Sequence, residues 1–174
     1  DVKQIVAITN DAYVADEFFK LPQYFLRFTE QNVIDMIAGD GVFLVACAPD
    51  NGPIVASLYI VRTIHQKEDS IHAHGDFSAV AVGTQYDRRG IGSALVSAAE
   101  KFVIEGGLNY EASMNIKRTA DIEMGVINVR DDLFKWYGKF GYIRGENLPN
   151  GPELQLICKP DMDIFCVLMN KTLS

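Results

Sequence analysis

Residues 76–99 constrain this chain more than any other stretch. Asp76-Phe77-Ser78-Ala79-Val80-Ala81-Val82 turns into an apolar run, a loop carrying Arg88, Arg89, Gly90 and Gly92 follows, and an Ala-rich segment continues to Ala99. The order is strand, loop, helix. A glycine-bearing loop that opens straight into a helix leaves several backbone N–H groups without intrahelical partners and aims them one way, with the positive end of the helix dipole behind them. That is an anion site, best suited to a phosphate. A Gly-x-Gly pair also serves as a plain strand-to-helix turn with solvated arginines, so the surroundings have to decide. Ile91, Leu95, Ala98 and Phe102 share one face of the predicted helix, with Ser93, Ser97, Glu100 and Lys101 off it. Such a helix packs one side against a sheet, and Ala94 and Ala98 would let it sit close. Each charge-assisted bond from Arg88 or Arg89 to a phosphate oxygen is worth on the order of 1.5–3 kcal/mol.

The length of 174 residues suits one domain with one sizeable core. No apolar run reaches the roughly eighteen residues a membrane-spanning helix needs, so a soluble protein without a membrane partner is expected. A net charge of −7 argues against nucleic acid and weakly favours a cationic partner, although solubility alone accounts for it. Cys47, Cys158 and Cys166 are odd in number and lie in or beside apolar runs, which fits a reducing, cytoplasmic setting, and they lack metal-ligand spacing. Asp1 is not an initiator methionine and sits where a helix N-cap would, so something upstream of this numbering is expected.

From Asp1, the spacing of Ile5, Ile8 and Ala12 predicts a helix to about Phe19, ended by Pro22. Tyr24, Phe25 and Phe28 form an aromatic connection, and Thr29 caps a second helix to about Ala38, with Phe28 and Val33 placed as a hydrophobic staple. Val42 to Ala48 reads as a strand buried on both faces, and Pro49-Asp50-Asn51-Gly52 as the turn into a returning strand, Ile54 to His65. A long strand runs from Ile71 to Val82, so an antiparallel meander feeds the loop. Gly106-Gly107 are expected to stop the helix, with Leu108 to Asp121 as loop. Ile122, Met124 and Val126 alternate as a strand. Asp131 and Asp132 open a helix whose apolar face is Leu133, Trp136, Tyr137 and Phe140, with Gly141 as its cap. Tyr142 to Glu146 and Asp163 to Asn170 read as closing strands joined by a Pro/Gly-bearing connection. Without repeats, low-complexity tracts or linkers, residues 1–174 are expected to form a single α/β domain.

His72, His74, Asp76 and Ser78 are spaced by two and share one strand face. A metal site, a proton relay and a solvated polar face all fit that pattern. Nothing else in the sequence visibly completes a metal shell, so no metal is expected.

Taken together, the element order, Arg89-Gly90-Ile91-Gly92 and Tyr137 ahead of Lys139-Phe140-Gly141-Tyr142 resemble the GCN5-related N-acetyltransferases (GNAT). The resemblance covers nearly the whole chain, lacking only the family's first strand, and implies a mixed, mostly antiparallel central sheet with helices on both faces. The family's signature, Gln/Arg-x-x-Gly-x-Gly/Ala, is matched except at its first position, where Asp87 stands. The resemblance implies acetyl-CoA as cosubstrate. Val80 and Val82 would offer backbone groups to the pantetheine arm, and the amides of Arg88, Arg89, Gly90, Ile91, Gly92 and Ser93 would hold the pyrophosphate. Tyr137 would protonate the departing thiolate, and Asp76, alone or with His74, would deprotonate the amine through water. An alkylamine of pKa about 10.4 is only about one part in 2,500 neutral at pH 7, so its proton needs a route. Strand amides would polarise the thioester carbonyl. The expected activity is transfer of an acetyl group to a primary amine of a small molecule or peptide. The alternative is a protein that binds acyl-CoA through the same loop, as sensor or scaffold, without turnover. A nucleotide-binding domain of another kind is disfavoured, because neither Gly-x-Gly-x-x-Gly nor a phosphate-loop Lys-Ser/Thr is present. The apolar last strand, Ile164 to Met169, is a candidate for extending the sheet across a homodimer.

Overall fold

The computed structural model describes residues 1–108, 117–149 and 152–173. Its helices are α1 (Val2–Ala12), α2 (Glu30–Ala38), α3 (Ile91–Leu108), α4 (Asp131–Gly138) and α5 (Pro152–Ile157). Its strands are β1 (Gly41–Cys47), β2 (Ile54–Gln66), β3 (Ser70–Val82), β4 (Lys117–Ile127), β5 (Ile143–Asn147) and β6 (Cys166–Leu173). They form one sheet in the order β1-β2-β3-β4-β6-β5. The β3–β4 pair is parallel and the other four are antiparallel, the mixed sheet expected. No helix among the described residues is long and apolar enough to cross a membrane.

Helices cover both faces. On one, Ile5 of α1 and Val33 of α2 pack with Phe28 and Ala79, and with Phe43 and Tyr59 at the sheet. On the other, Leu95, Val96, Ala99 and Val103 of α3 pack on Leu58, Ile60, Ala73, Phe77 and Ile122. The stripe α3 buries is therefore rotated from the one its sequence predicted: Ala94 and Ala98 are exposed, and the close approach comes from the sheet side. A Cβ on Gly75 would meet Val103 Cγ2 at 2.4 Å, so only glycine admits the helix there. Nor does α3 stop at Gly106-Gly107: it runs to Leu108, and Gly106 lies under the Arg62 guanidinium, which donates to Phe102 O at 2.7 Å.

Other local expectations shift for physical reasons. The Thr29 cap forms, Asn32 N–H donating to Thr29 Oγ1 at 3.2 Å, and Phe28 and Val33 share one cluster. The first helix, however, ends at Ala12 and tightens into a 3₁₀ turn over Tyr13–Asp16, which turns Asp16, Phe19 and Lys20 inward. Strand β1 is an edge, not a strand buried on both faces: Val42 and Val45 are 40% and 42% exposed. Strand β4 begins at Lys117, inside the stretch read as loop, of which 109–116 lie outside the described residues. Helix α5 occupies part of the Pro/Gly-bearing connection, and β6 lies three residues later than expected. Strand β6 is also flanked by β4 and β5, so it has no free edge with which to extend the sheet.

Candidate active site

Strands β3 and β4 begin as neighbours and then part. Their parallel ladder runs from Ser70–Lys117 to Asp76–Glu123 and stops there. Beyond it, Phe77 to Val80 and Val82 on one side and Met124 to Ile127 on the other line a cavity of about 360 Å³. The cause is local to β3. Ser57 pairs with Ala81 and Tyr59 with Ser78, so β3 carries one extra residue, and Ala79 takes φ +53°. Such a bulge bends its strand and exchanges the faces beyond it. Phe77 packs toward α3 before the bulge, Val80 and Val82 do so after it, and Ala79 turns to the α1–α2 side. A left-handed alanine costs roughly 1–2 kcal/mol, which the surrounding core must hold in place. The edge of β3 beyond Asp76 is thereby left without β4 as its ladder partner.

The loop into α3 forms a second cavity of about 270 Å³, lined by Tyr86, Asp87, Arg88, Gly90 and Ser93 together with Val82, Gly92 and Trp136. Arg88 and Gly90 take φ +58° and +79°, left-handed turns of the kind that can aim successive amides one way. Ile91 and Gly92 begin α3, where the first turn's N–H groups have no intrahelical acceptor. Arg89 lies over the Tyr86 ring at 5.5 Å. Val82, Gly92 and Trp136 border both cavities. A Cβ on Gly92 would sit 3.3 Å from Trp136 Cζ2, so a larger side chain there narrows the junction.

Tyr137 lines the larger cavity from α4, 5% exposed and ringed by Trp136, Phe77 and Tyr142. Burial pushes its pKa well above the ordinary tyrosine value, Tyr13 adds to the rise and Arg130 opposes it, so the hydroxyl keeps its proton. Asp76 does not line either cavity. It stands exposed on the outer face of β3, two residues before Ser78, which does line the larger one. Partial desolvation raises its pKa and His74 opposes the rise.

The far wall of the larger cavity was not visible in the sequence. Tyr13, Asp16, Lys20, Arg27 and Arg130 all line it. Asp16 and Lys20 are 6% and 3% exposed and 3.8 Å apart. Burial pulls the Lys20 pKa down, and Asp16 works against that. Arg130 grips both oxygens of Asp132, at 2.9 and 2.8 Å, and its Nη1 bonds Asp16. The i, i+4 spacing of Asp16 and Lys20 is the signal the sequence offers for this pair.

Comparison with known proteins points the same way. The family described as "Acetyltransferase (GNAT) family" matches residues 3–121. No curated protein matches the sequence. Among solved structures, smu.2055 from Streptococcus mutans UA159 superposes with a TM-score of 0.68 at 18% identity, over 100% of this chain and 94% of that one. The ribosomal-protein-S18-alanine N-acetyltransferase from Escherichia coli gives 0.64 at 15%, over 100% and 88%. An aminoglycoside 6'-N-acetyltransferase complexed with coenzyme A gives 0.62 at 17%, over 98% and 89%. At these identities the structures speak for the fold, and the sequence match, which spans more than half the chain, speaks for the family. This chain belongs to the GNAT family of acetyltransferases.

Proposed function

We propose that the protein moves the acetyl group of acetyl-CoA to a primary amine by direct attack on the thioester. The observation that carries this reading is the junction at Val82, Gly92 and Trp136, which joins an amide-rich loop at one end to a cavity holding Tyr137 at the other. An elongated ligand with phosphates at one end and a thioester at the other fits that layout. The amides of residues 88–93 hold the pyrophosphate, and the open edge of β3 at Val80 and Val82 holds the arm.

In the reaction a C–N bond forms, the C–S bond breaks, nitrogen loses one proton and sulfur gains one. A tyrosine whose pKa lies above 10 is a weaker acid than a thiol of pKa about 8.5, so complete transfer from Tyr137 is uphill. Tyr137 therefore serves first as a hydrogen-bond donor to the developing thiolate, and regains from solvent any proton it gives up. The amine's proton leaves by water past Ser78 toward Asp76. That route is indirect, because Asp76 faces outward.

The acceptor is set by the far wall. Of the charged lining residues Lys20, Arg27, Arg130 and Asp16, Arg130 is held by Asp132 and Asp16, so Arg27 carries most of the positive charge offered to a ligand. Local charge outweighs the net −7 for a ligand held in the cleft. An amine that also carries a carboxylate or similar anion fits this wall better than a polyamine.

The test is calorimetric titration with acetyl-CoA of the wild type and of Gly92→Glu, followed by acetyl transfer to an α-amino acid panel and a polyamine panel. Micromolar binding that the variant loses, with turnover on the anionic amines, supports the reading. Absence of binding overturns the coenzyme site. Binding without turnover on any amine leaves a sensor, and preference for polyamines overturns the acceptor assignment.

A further inference from the structure

We propose that His72, His74 and Asp121 form a binding site for one divalent transition-metal ion of the Zn²⁺ type, on the sheet face that α1 and α2 leave uncovered. The sequence placed the two histidines on one face of β3 and offered nothing to complete a shell. The fold supplies it, because the parallel register sets Thr119, Asp121 and Glu123 of β4 beside His72, His74 and Asp76. One ligand atom from each of His72, His74 and Asp121 lies within 4.8 Å of the others. All three histidines of the chain meet on this patch, His65 stacking on His72 with ring centroids 6.3 Å apart.

His74 Nδ1 and Asp121 Oδ1 are hydrogen-bonded to each other, and an ion would take the place of the proton between them. Bonds of about 2.0–2.1 Å in a tetrahedral shell put neighbouring ligand atoms about 3.3 Å apart. His72 Nε2 and Asp121 Oδ2 are 3.4 Å apart, and His74 Nδ1 lies 2.6 Å from Asp121 Oδ1. The His72–Asp121 separation already matches that spacing, whereas His74 and Asp121 would have to part for all three to reach one ion. His72 Nδ1 is 2.9 Å from Thr119 Oγ1. In the tautomer that donates Nδ1–H to that hydroxyl, Nε2 with its lone pair is the free ligand atom, and Asp121 Oδ2 lies beside it. The Thr119 contact is the kind of outer bond that orients a metal-bound imidazole. Glu123 Oε1, 3.7 Å from His74 Nε2, adds a second carboxylate at the rim. Two imidazoles with a carboxylate select a borderline transition ion over Mg²⁺ or Ca²⁺. The ion would pin β3 to β4 along the ladder whose end opens the catalytic cavity.

The experiment uses tag-free, chelator-dialysed protein titrated with Zn²⁺ by calorimetry and with Co²⁺ by visible absorption. His72→Gln and Asp121→Asn are run in parallel, each checked for an unchanged melting curve without metal. Thr119→Val stands in for either variant that fails to fold. The site predicts one-to-one micromolar binding, the strong visible bands of a four-coordinate Co²⁺ centre, and affinity reduced about tenfold or more in the variants. Binding to several weak sites, an octahedral Co²⁺ spectrum, or affinity unchanged in the variants means an adventitious ion only and overturns the assignment.

Discussion

Arg130 Nη1 bonds the carboxylate of Asp16, 114 positions earlier in the chain, and ties the turn after α1 to the start of α4. Both side chains are largely buried, at 17% and 8% exposure, and both line the larger cavity. Removing one partner of a buried pair leaves an uncompensated charge and typically costs about 3–5 kcal/mol. Arg130 keeps Asp132 when Asp16 is lost, and Lys20, whose pKa burial already lowers, can shed its proton, so Asp16→Ala should fall at the low end of that range. At about 2–4 °C per kcal/mol for a chain of this size, a thermal melt should drop by roughly 6–12 °C. A drop under about 2 °C would show that the pair holds nothing in place. Arg130→Lys should not restore the wild-type melt, because a lysine cannot fork across Asp132 and Asp16 together.

The same guanidinium sets a pH dependence. The Arg130 bond, against partial burial, holds the Asp132 carboxyl below the usual carboxylate range. A depressed folded-state pKa contributes stability that is fully present above the unfolded value, about 3.9, and is lost as pH falls through the folded one. Denaturant melts below about pH 4 should therefore show a steeper loss in the wild type than in Asp132→Asn, which has no proton to take up. Parallel acid limbs for the two proteins would remove Asp132 from the account.

Tyr137→Phe keeps the ring that packs on Phe77, Trp136 and Tyr142 and removes only the hydroxyl. Folding and acetyl-CoA affinity should be unchanged. Turnover should fall by about 10²–10⁴-fold, the usual worth of a positioned proton donor. A rate within about threefold of wild type would show that the thiolate leaves without this residue, since no positioned acid is worth so little.

Asp76→Asn separates a direct base from one that works through water. Because Asp76 stands outside the cavity, the variant should lower turnover less than Tyr137→Phe does, and should leave coenzyme affinity alone. A larger loss than that of Tyr137→Phe would mean that the strand swings Asp76 inward when ligand binds. No loss at all would make it one more solvated side chain of the polar face.

How much of this was legible depended on whether the signal was local. The β3–loop–α3 unit could be read from residues 76–99 because strand, left-handed turn and helix start are each specified within a few positions. Thr29 wrote its cap in the same local way. The extra residue at Ala79 could not be seen, since a bulge is defined by the partner strand and leaves no mark on an apolar run. The stripe on α3 was misplaced because its close approach is set by Gly75, a residue of the sheet. The neighbour of His74 was hidden because Asp121 fell in a stretch without periodicity, and only the parallel register brings it across. Asp16 and Arg130 were missed for the same reason. Buried ion pairs distant in sequence look, residue by residue, like surface charge.

Asp87 is the one departure from the family's phosphate-loop signature, and it sits in the lining of the smaller cavity with Arg88. A carboxylate at that rim would repel the pyrophosphate of the proposed coenzyme, while the amides of residues 88–93 would attract it whatever the side chain. Replacing it removes one repulsion, and arginine adds a donor fork suited to phosphate. Asp87→Arg should therefore tighten acetyl-CoA binding by about tenfold, equivalent to about 1.4 kcal/mol, and the gain should shrink as salt is raised, because the charges face solvent. Asp87→Asn should recover part of that gain. Weaker binding in both variants would instead give the carboxylate a structural part in the left-handed turn at Arg88, and the loop would then owe its shape to the residue that breaks the signature.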